Sequence, residues 1–118
     1  MSNLKIKKFS IGESPVKKIF IGGYNPLVFI GGPCAIESEK HSLMMASKIK
    51  RICDKLKIQY IFKSCYNKDS RSSPESFNGI GLNEGLEILQ TVRKRIKVPV
   101  VADFSDVAWA KPTAQVVD

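Results

Sequence analysis

The chain has 118 residues, 43% of them hydrophobic, and a formal net charge of +8. That is enough apolar material for one compact core. No apolar run approaches the roughly 18 residues of a membrane span, and the start Met1-Ser2-Asn3-Leu4-Lys5 lacks the apolar centre of a signal peptide, so the expectation is a soluble, cytoplasmic protein.

Residues 4 to 22 alternate apolar and charged positions around the turn-rich Gly12-Glu13-Ser14-Pro15, which predicts a β-hairpin ahead of the main fold. Leu27-Val28-Phe29-Ile30 is a short continuous apolar run ending in Gly31-Gly32-Pro33, the pattern of a strand buried on both faces. A helix follows, capped by Ser38, with Met45, Ile49, Ile52, Cys53 and Leu56 as its core-facing stripe. Tyr60-Ile61-Phe62 is a second strand. A polar segment from Lys63 to Gly81 then leads into a helix carrying Leu82, Leu86, Leu89, Val92 and Ile96. Val98-Pro99-Val100-Val101-Ala102 is a third strand, in which Pro99 is tolerable near the start. A third helix follows Asp103, with Ser105 or Asp106 as cap and Pro112 kinking it or delaying its start. Three strand-to-helix cycles predict an α/β fold with a parallel sheet and right-handed crossovers, either doubly wound or part of a barrel.

Three cysteines, Cys34, Cys53 and Cys65, lack the spacing of a metal knuckle or redox pair and read as reduced thiols. The positive charge suits nucleic acid, an anionic membrane surface or small anionic substrates. The basic residues lie in an N-terminal cluster and along two predicted helices, including Lys48, Lys50, Arg51, Arg93 and Lys94. No aromatic interleaving of the kind that stacks on bases accompanies them, so most read as solvated helix faces.

In parallel α/β folds, reactive groups collect where strands end and helices begin. At the first junction the glycines and Pro33 build a tight exit that permits close backbone approach, and Cys34 follows. Position alone leaves Cys34 open as a metal-binding thiolate or as a small buried hydrophobe. The second junction gathers Lys63, Lys68, Ser70, Arg71 and Ser72. These supply the point charges, planar fork and hydroxyl donors that a phosphate or carboxylate needs. A lysine directly after three apolar strand residues is awkward as an ordinary surface group, so the Lys63 ammonium is expected in a strand-end pocket. At the third junction Asp103 suits a hydrogen-bond acceptor for a substrate hydroxyl, a base, or a helix cap.

Taken in order, "GGPCAIES", "FKSCYNKDSRSSPESFNGIGLNEGL" and "VVADFSDVAWAKPTAQVVD" resemble the first three strand-to-helix junctions of the 3-deoxy-D-manno-octulosonate-8-phosphate synthases. The resemblance runs from about Phe29 to Asp118, and the hairpin fits that family's short N-terminal extension. It implies a partial TIM (β/α)8 barrel, with a hairpin in 1–24 and the first three β/α units in 25–118. The implied activity condenses phosphoenolpyruvate with arabinose 5-phosphate and water, releasing phosphate, in lipopolysaccharide biosynthesis. It further implies that Lys63 and Lys68 hold phosphoenolpyruvate, that Arg71 with Ser70 and Ser72 receives the pentose phosphate, and that Asp103 joins the catalytic set. Cys34 falls where metal-dependent members carry a cysteine ligand to divalent iron, zinc or manganese, and the remaining ligands come from later strands. Full synthases of this kind are homotetramers.

The family pattern is not followed everywhere. Ser70 replaces an asparagine, Asn78 an arginine, and Asp103-Phe104-Ser105-Asp106 retains the aspartate of an aspartate-x-histidine-glutamate run without its histidine. His41 is expected to face solvent. Three units against the eight of a complete barrel predict an N-terminal portion, from a truncated, split or decayed coding sequence, with little activity by itself. The competing readings are a related 3-deoxy-D-arabino-heptulosonate-7-phosphate synthase, a non-catalytic phosphate- or nucleic-acid-binding module, and an unstable remnant.

Overall fold

A computed structural model describes residues 6–67 and 79–118. The predicted hairpin is present: β1 (Lys8–Ile11) pairs antiparallel with β2 (Ile19–Gly22), from Lys8 opposite Gly22 to Ile11 opposite Ile19. Of its connecting segment, Val16 is buried, which ties the turn to the body of the protein.

The main sheet has three parallel strands in the order β3 (Val28–Gly31), β4 (Gln59–Lys63), β5 (Val100–Val101). Gly31 lies opposite Phe62 and Lys63 opposite Val101, which fixes the register. The third strand is shorter than expected. Val98 and Pro99 precede the ladder, yet the Pro99 carbonyl accepts from the Phe62 N–H at 2.9 Å, because proline lacks only the donor.

Helix α1 (Glu39–Leu56) starts where Ser38 predicts, its hydroxyl accepting from the His41 N–H at 3.1 Å. Its stripe, however, differs from expectation. The buried positions are Ser42, Ala46 and Cys53, with Ile49 packed beside them, whereas Ile52 and Leu56 are 57% and 62% exposed. At roughly 100° per residue, Met45, Ile52 and Leu56 form a flank about 60° away from the Ser42–Ala46–Ile49–Cys53 line. Two neighbouring apolar lines share this helix, and only one meets the core.

Helix α2 (Leu82–Ile96) agrees with its pattern: Leu86, Leu89 and Val92 are buried together with Gly85 and Ile88. The third helix begins as a 3-10 turn (Val107–Trp109) whose first N–H groups are met by Asp106, which accepts from the Ala108 N–H at 2.9 Å. It passes into α3 (Ala110–Ala114), where Pro112 falls within the first turn and costs no intrahelical donor.

The core lies between the sheet and α1 and α2. Tyr60, Phe62 and Val100 meet Leu89 and Val92 there, and Phe62, Leu89, Val92 and Val100 are wholly buried. Each such side chain contributes on the order of 1.5–3 kcal/mol of burial. Strand β3 is an edge of this sheet among the described residues. Phe29, stacked on Tyr60 with ring centroids 6.1 Å apart, and Ile30 on the opposite face are each about half exposed, at 48% and 51%. The expectation of a strand buried on both faces therefore fails for β3; it is the central strand β4, with Tyr60, Ile61 and Phe62 all buried, that is covered on both sides.

Candidate functional site

Beyond the ladder, the exits of β3 and β4 stay in register. Ala35 bridges Cys65, the Cys65 N–H donates to the Cys34 carbonyl at 3.2 Å, and the Ile36 N–H donates to the Cys65 carbonyl at 2.9 Å. The Ser64 hydroxyl reaches back to the Pro33 carbonyl at 2.5 Å. Gly32 makes this closeness possible: a Cβ there would stand 2.2 Å from the Lys63 carbonyl oxygen. The expected tight glycine exit is thus a close backbone approach.

Three of the residues singled out in the sequence lie at this C-terminal edge. Cys34 is exposed, which sets aside its reading as a buried hydrophobe. Lys63 alternates with the core-facing Phe62 and so projects from the sheet face away from the helices. It is exposed rather than enclosed, and no ion pair engages its ammonium among the described residues. Asp103, just past β5, accepts a hydrogen bond from the buried Cys65 thiol. Lys68, Ser70, Arg71 and Ser72 lie outside the described residues.

Cys65 is the residue that sequence reasoning passes over. Its backbone N–H holds the Cys34 carbonyl and its thiol holds Asp103, so one residue links the exits of all three strands. Its offset of two residues from Lys63 is the one signal available in the sequence.

Behind these exits the packing is tight. The Tyr66 hydroxyl shares a buried 2.8 Å hydrogen bond with Thr113 Oγ1, and its ring meets Trp109 edge-on. Gly85 gives the tyrosine room, since a Cβ there would lie 2.1 Å from Tyr66 Cβ. The Tyr60 hydroxyl donates to the Gly31 carbonyl at 2.8 Å, and burial raises its pKa above the ordinary phenol range.

Among the described residues, no group of three or more His, Cys, Asp or Glu side chains is placed to hold a metal ion. An exposed thiol at a strand end fits the role of a single soft ligand, and Cys34 is that group. His41 does not join it. Expected to face solvent, its side chain is 30% exposed and sits 3.7 Å from Glu37 Oε2, just ahead of the helix cap.

At the opposite edge, Arg93 departs from the solvated role expected of it. Its side chain is 16% exposed and grips Asp118 through Nε and Nη2, both at 2.8 Å, while Nη2 also donates to the Glu13 carbonyl at 2.7 Å. The hydrogen bond to Asp118 raises the Arg93 pKa further. Asp118 in turn accepts from the Val100 N–H at 3.0 Å and donates its own N–H to the Val100 carbonyl at 2.9 Å.

The class so defined is an α/β protein of successive parallel β/α units, with its candidate reactive groups at the C-terminal ends of the strands. A family model described as the DAHP synthetase I family matches residues 4–118, and the chain belongs to that family. Curated relatives named 2-dehydro-3-deoxyphosphooctonate aldolase share its sequence. The one from Cyanothece sp. is 49% identical over 98 residues, covering 83% of this chain and 36% of the relative. Those from Geobacter sulfurreducens and Koribacter versatilis are 41% and 47% identical over 106 and 103 residues, covering 90% and 87% of this chain and 39% and 37% of the relatives. The chain thus spans less than two fifths of the length of these relatives. No helix among the described residues is long and apolar enough to cross a membrane.

Proposed function

We propose that these residues supply the hairpin and first three β/α units of a (β/α)8 barrel that condenses phosphoenolpyruvate with arabinose 5-phosphate, as the names of its relatives suggest. One observation carries the reading: Cys65 ties the Cys34 backbone and the Asp103 carboxylate together at the strand-end edge from which Lys63 emerges. The exposed outer edge of β3 and the unmatched length of the relatives support further strands completing the sheet.

In the reaction, the enol carbon of phosphoenolpyruvate bonds to the aldehyde carbon of the pentose, water adds to the neighbouring carbon, and inorganic phosphate leaves. Both substrates are anions, so a cation without a protein counter-ion is needed where they meet. Lys63 serves there, with Lys68 on the same phosphoenolpyruvate and Arg71, Ser70 and Ser72 on the pentose phosphate. Asp103, oriented by the Cys65 thiol, accepts a substrate hydroxyl proton or hydrogen bond. Cys34 would hold one position on a divalent iron, zinc or manganese ion. When bound, such an ion supplies Lewis-acid polarisation of an oxygen.

The test combines this chain with a polypeptide supplying the rest of the barrel from the Geobacter sulfurreducens relative, in the presence of Mn²⁺. Phosphate release that requires arabinose 5-phosphate is expected, and Lys63→Ala lowers kcat/KM by roughly 10- to 100-fold, as loss of a hydrogen bond to a charged group does. Turnover that instead demands a four-carbon aldose phosphate would assign the heptulosonate reaction. Turnover indifferent to Lys63→Ala would overturn the site.

A further inference from the structure

The edge of the sheet opposite the candidate site holds a cavity of about 480 Å³ between the hairpin and the C-terminal ends of α1 and α2. Its walls are apolar, with Tyr60 and Ile96 among them, and its rim is cationic. Lys17 and Lys18 come from the segment entering β2, and Lys57 and Lys97 from the ends of the two helices. Lys50 also borders it but is matched by Asp54 at 2.7 Å. The other four lysines have no ion pair among the described residues.

Helix ends offer an ordinary reason for lysines, since each C-terminus carries roughly half a negative charge. Two such ends offset about one of the four ammonium groups and leave the rim strongly positive. A second observation concerns the backbone. Lys57 and Lys97 both adopt the left-handed conformation, with φ of 57° and 59°, at helix-terminating positions where glycine is usual. Twice, then, a side chain that strains the backbone stands at the same cavity.

We propose that this cavity binds a small organic polyanion. Its carboxylate or phosphate groups are held by Lys17, Lys18, Lys57 and Lys97. The site is separate from the strand-end edge and does not depend on the condensation reaction.

Calorimetric titration of the chain with citrate and with fructose 1,6-bisphosphate tests it and distinguishes carboxylate from phosphate. The Lys57→Gly/Lys97→Gly double variant removes two charges while placing glycine in a conformation natural to it, so the fold is kept, which a thermal melt checks. Binding of either anion is expected, weakened roughly tenfold or more in the double variant and unchanged by Lys63→Ala at the other edge. Failure of both anions to bind, affinity unaltered in the double variant, or loss of binding with Lys63→Ala would each overturn the proposal. So would a single-stranded oligonucleotide displacing both anions and weakened by the same variants, which would assign the surface to nucleic acid.

Discussion

The two edges of the parallel sheet are held by different kinds of force. At the C-terminal edge the fastening is neutral and geometric: glycine clearance at Gly32 and Gly85, backbone bonds between the Cys34 and Cys65 segments, and the hydroxyl pair of Tyr66 and Thr113. At the N-terminal edge it is ionic, with Arg93 locked onto Asp118 and the hairpin carbonyl of Glu13. Arg93 is a cation spent on structure. Lys63 is a cation with no ion pair among the described residues, and on the proposed reading its charge is left for an anionic ligand. Whether a carboxylate is folded against a cation decides if its charge is neutralised within the fold, as at Arg93, or left open, as at Lys63.

The contrast can be broken at either edge. The largest effect belongs to Arg93→Ala, which strands the Asp118 carboxylate, 3% exposed, and releases the hairpin. Loss of one partner of a largely buried pair costs about 3 kcal/mol, read as a lower urea midpoint. Gly85→Ala is expected to cost about 2 kcal/mol, because overpacking against Tyr66 exceeds the helical gain of alanine. Its melting temperature falls while urea and heat still give one cooperative transition. The smallest effect is that of Ser38→Ala, about 1 kcal/mol for a lost N-cap. Raising salt to 1 M sharpens the comparison: the penalty of Arg93→Ala shrinks by a small amount, since a pair this buried is only weakly screened, while that of Gly85→Ala stays constant. Equal salt sensitivity of the two would refute the division.

Much of this organisation is legible in the residues themselves. The apolar run at Leu27–Ile30, the Ser38 cap and the spacing of Leu82, Leu86, Leu89 and Val92 each place an element, because local propensity is strong there. Ile52 and Leu56 mislead because helical periodicity tolerates two adjacent apolar lines, and only the packing partner chooses between them. Half-exposed β3 misleads for a related reason: an apolar strand announces that both faces suit burial, and neighbours decide whether it occurs. In the candidate site, Lys63 and Cys34 stand out as chemically odd at strand ends. The Cys65 link to Asp103 does not, since it joins positions 38 residues apart and depends on register alone. The left-handed lysines are equally silent in sequence, where glycine would have announced the turn.

Gly32 carries one last implication. With the Lys63 carbonyl seated where a methyl group would go, the first two loops leaving the sheet form a single casting rather than two adjustable arms. Attempts to retune ligand preference by lengthening either loop near its root would shift both at once. Library design would do better to hold 32–36 and 63–66 constant and randomise from position 67 onward.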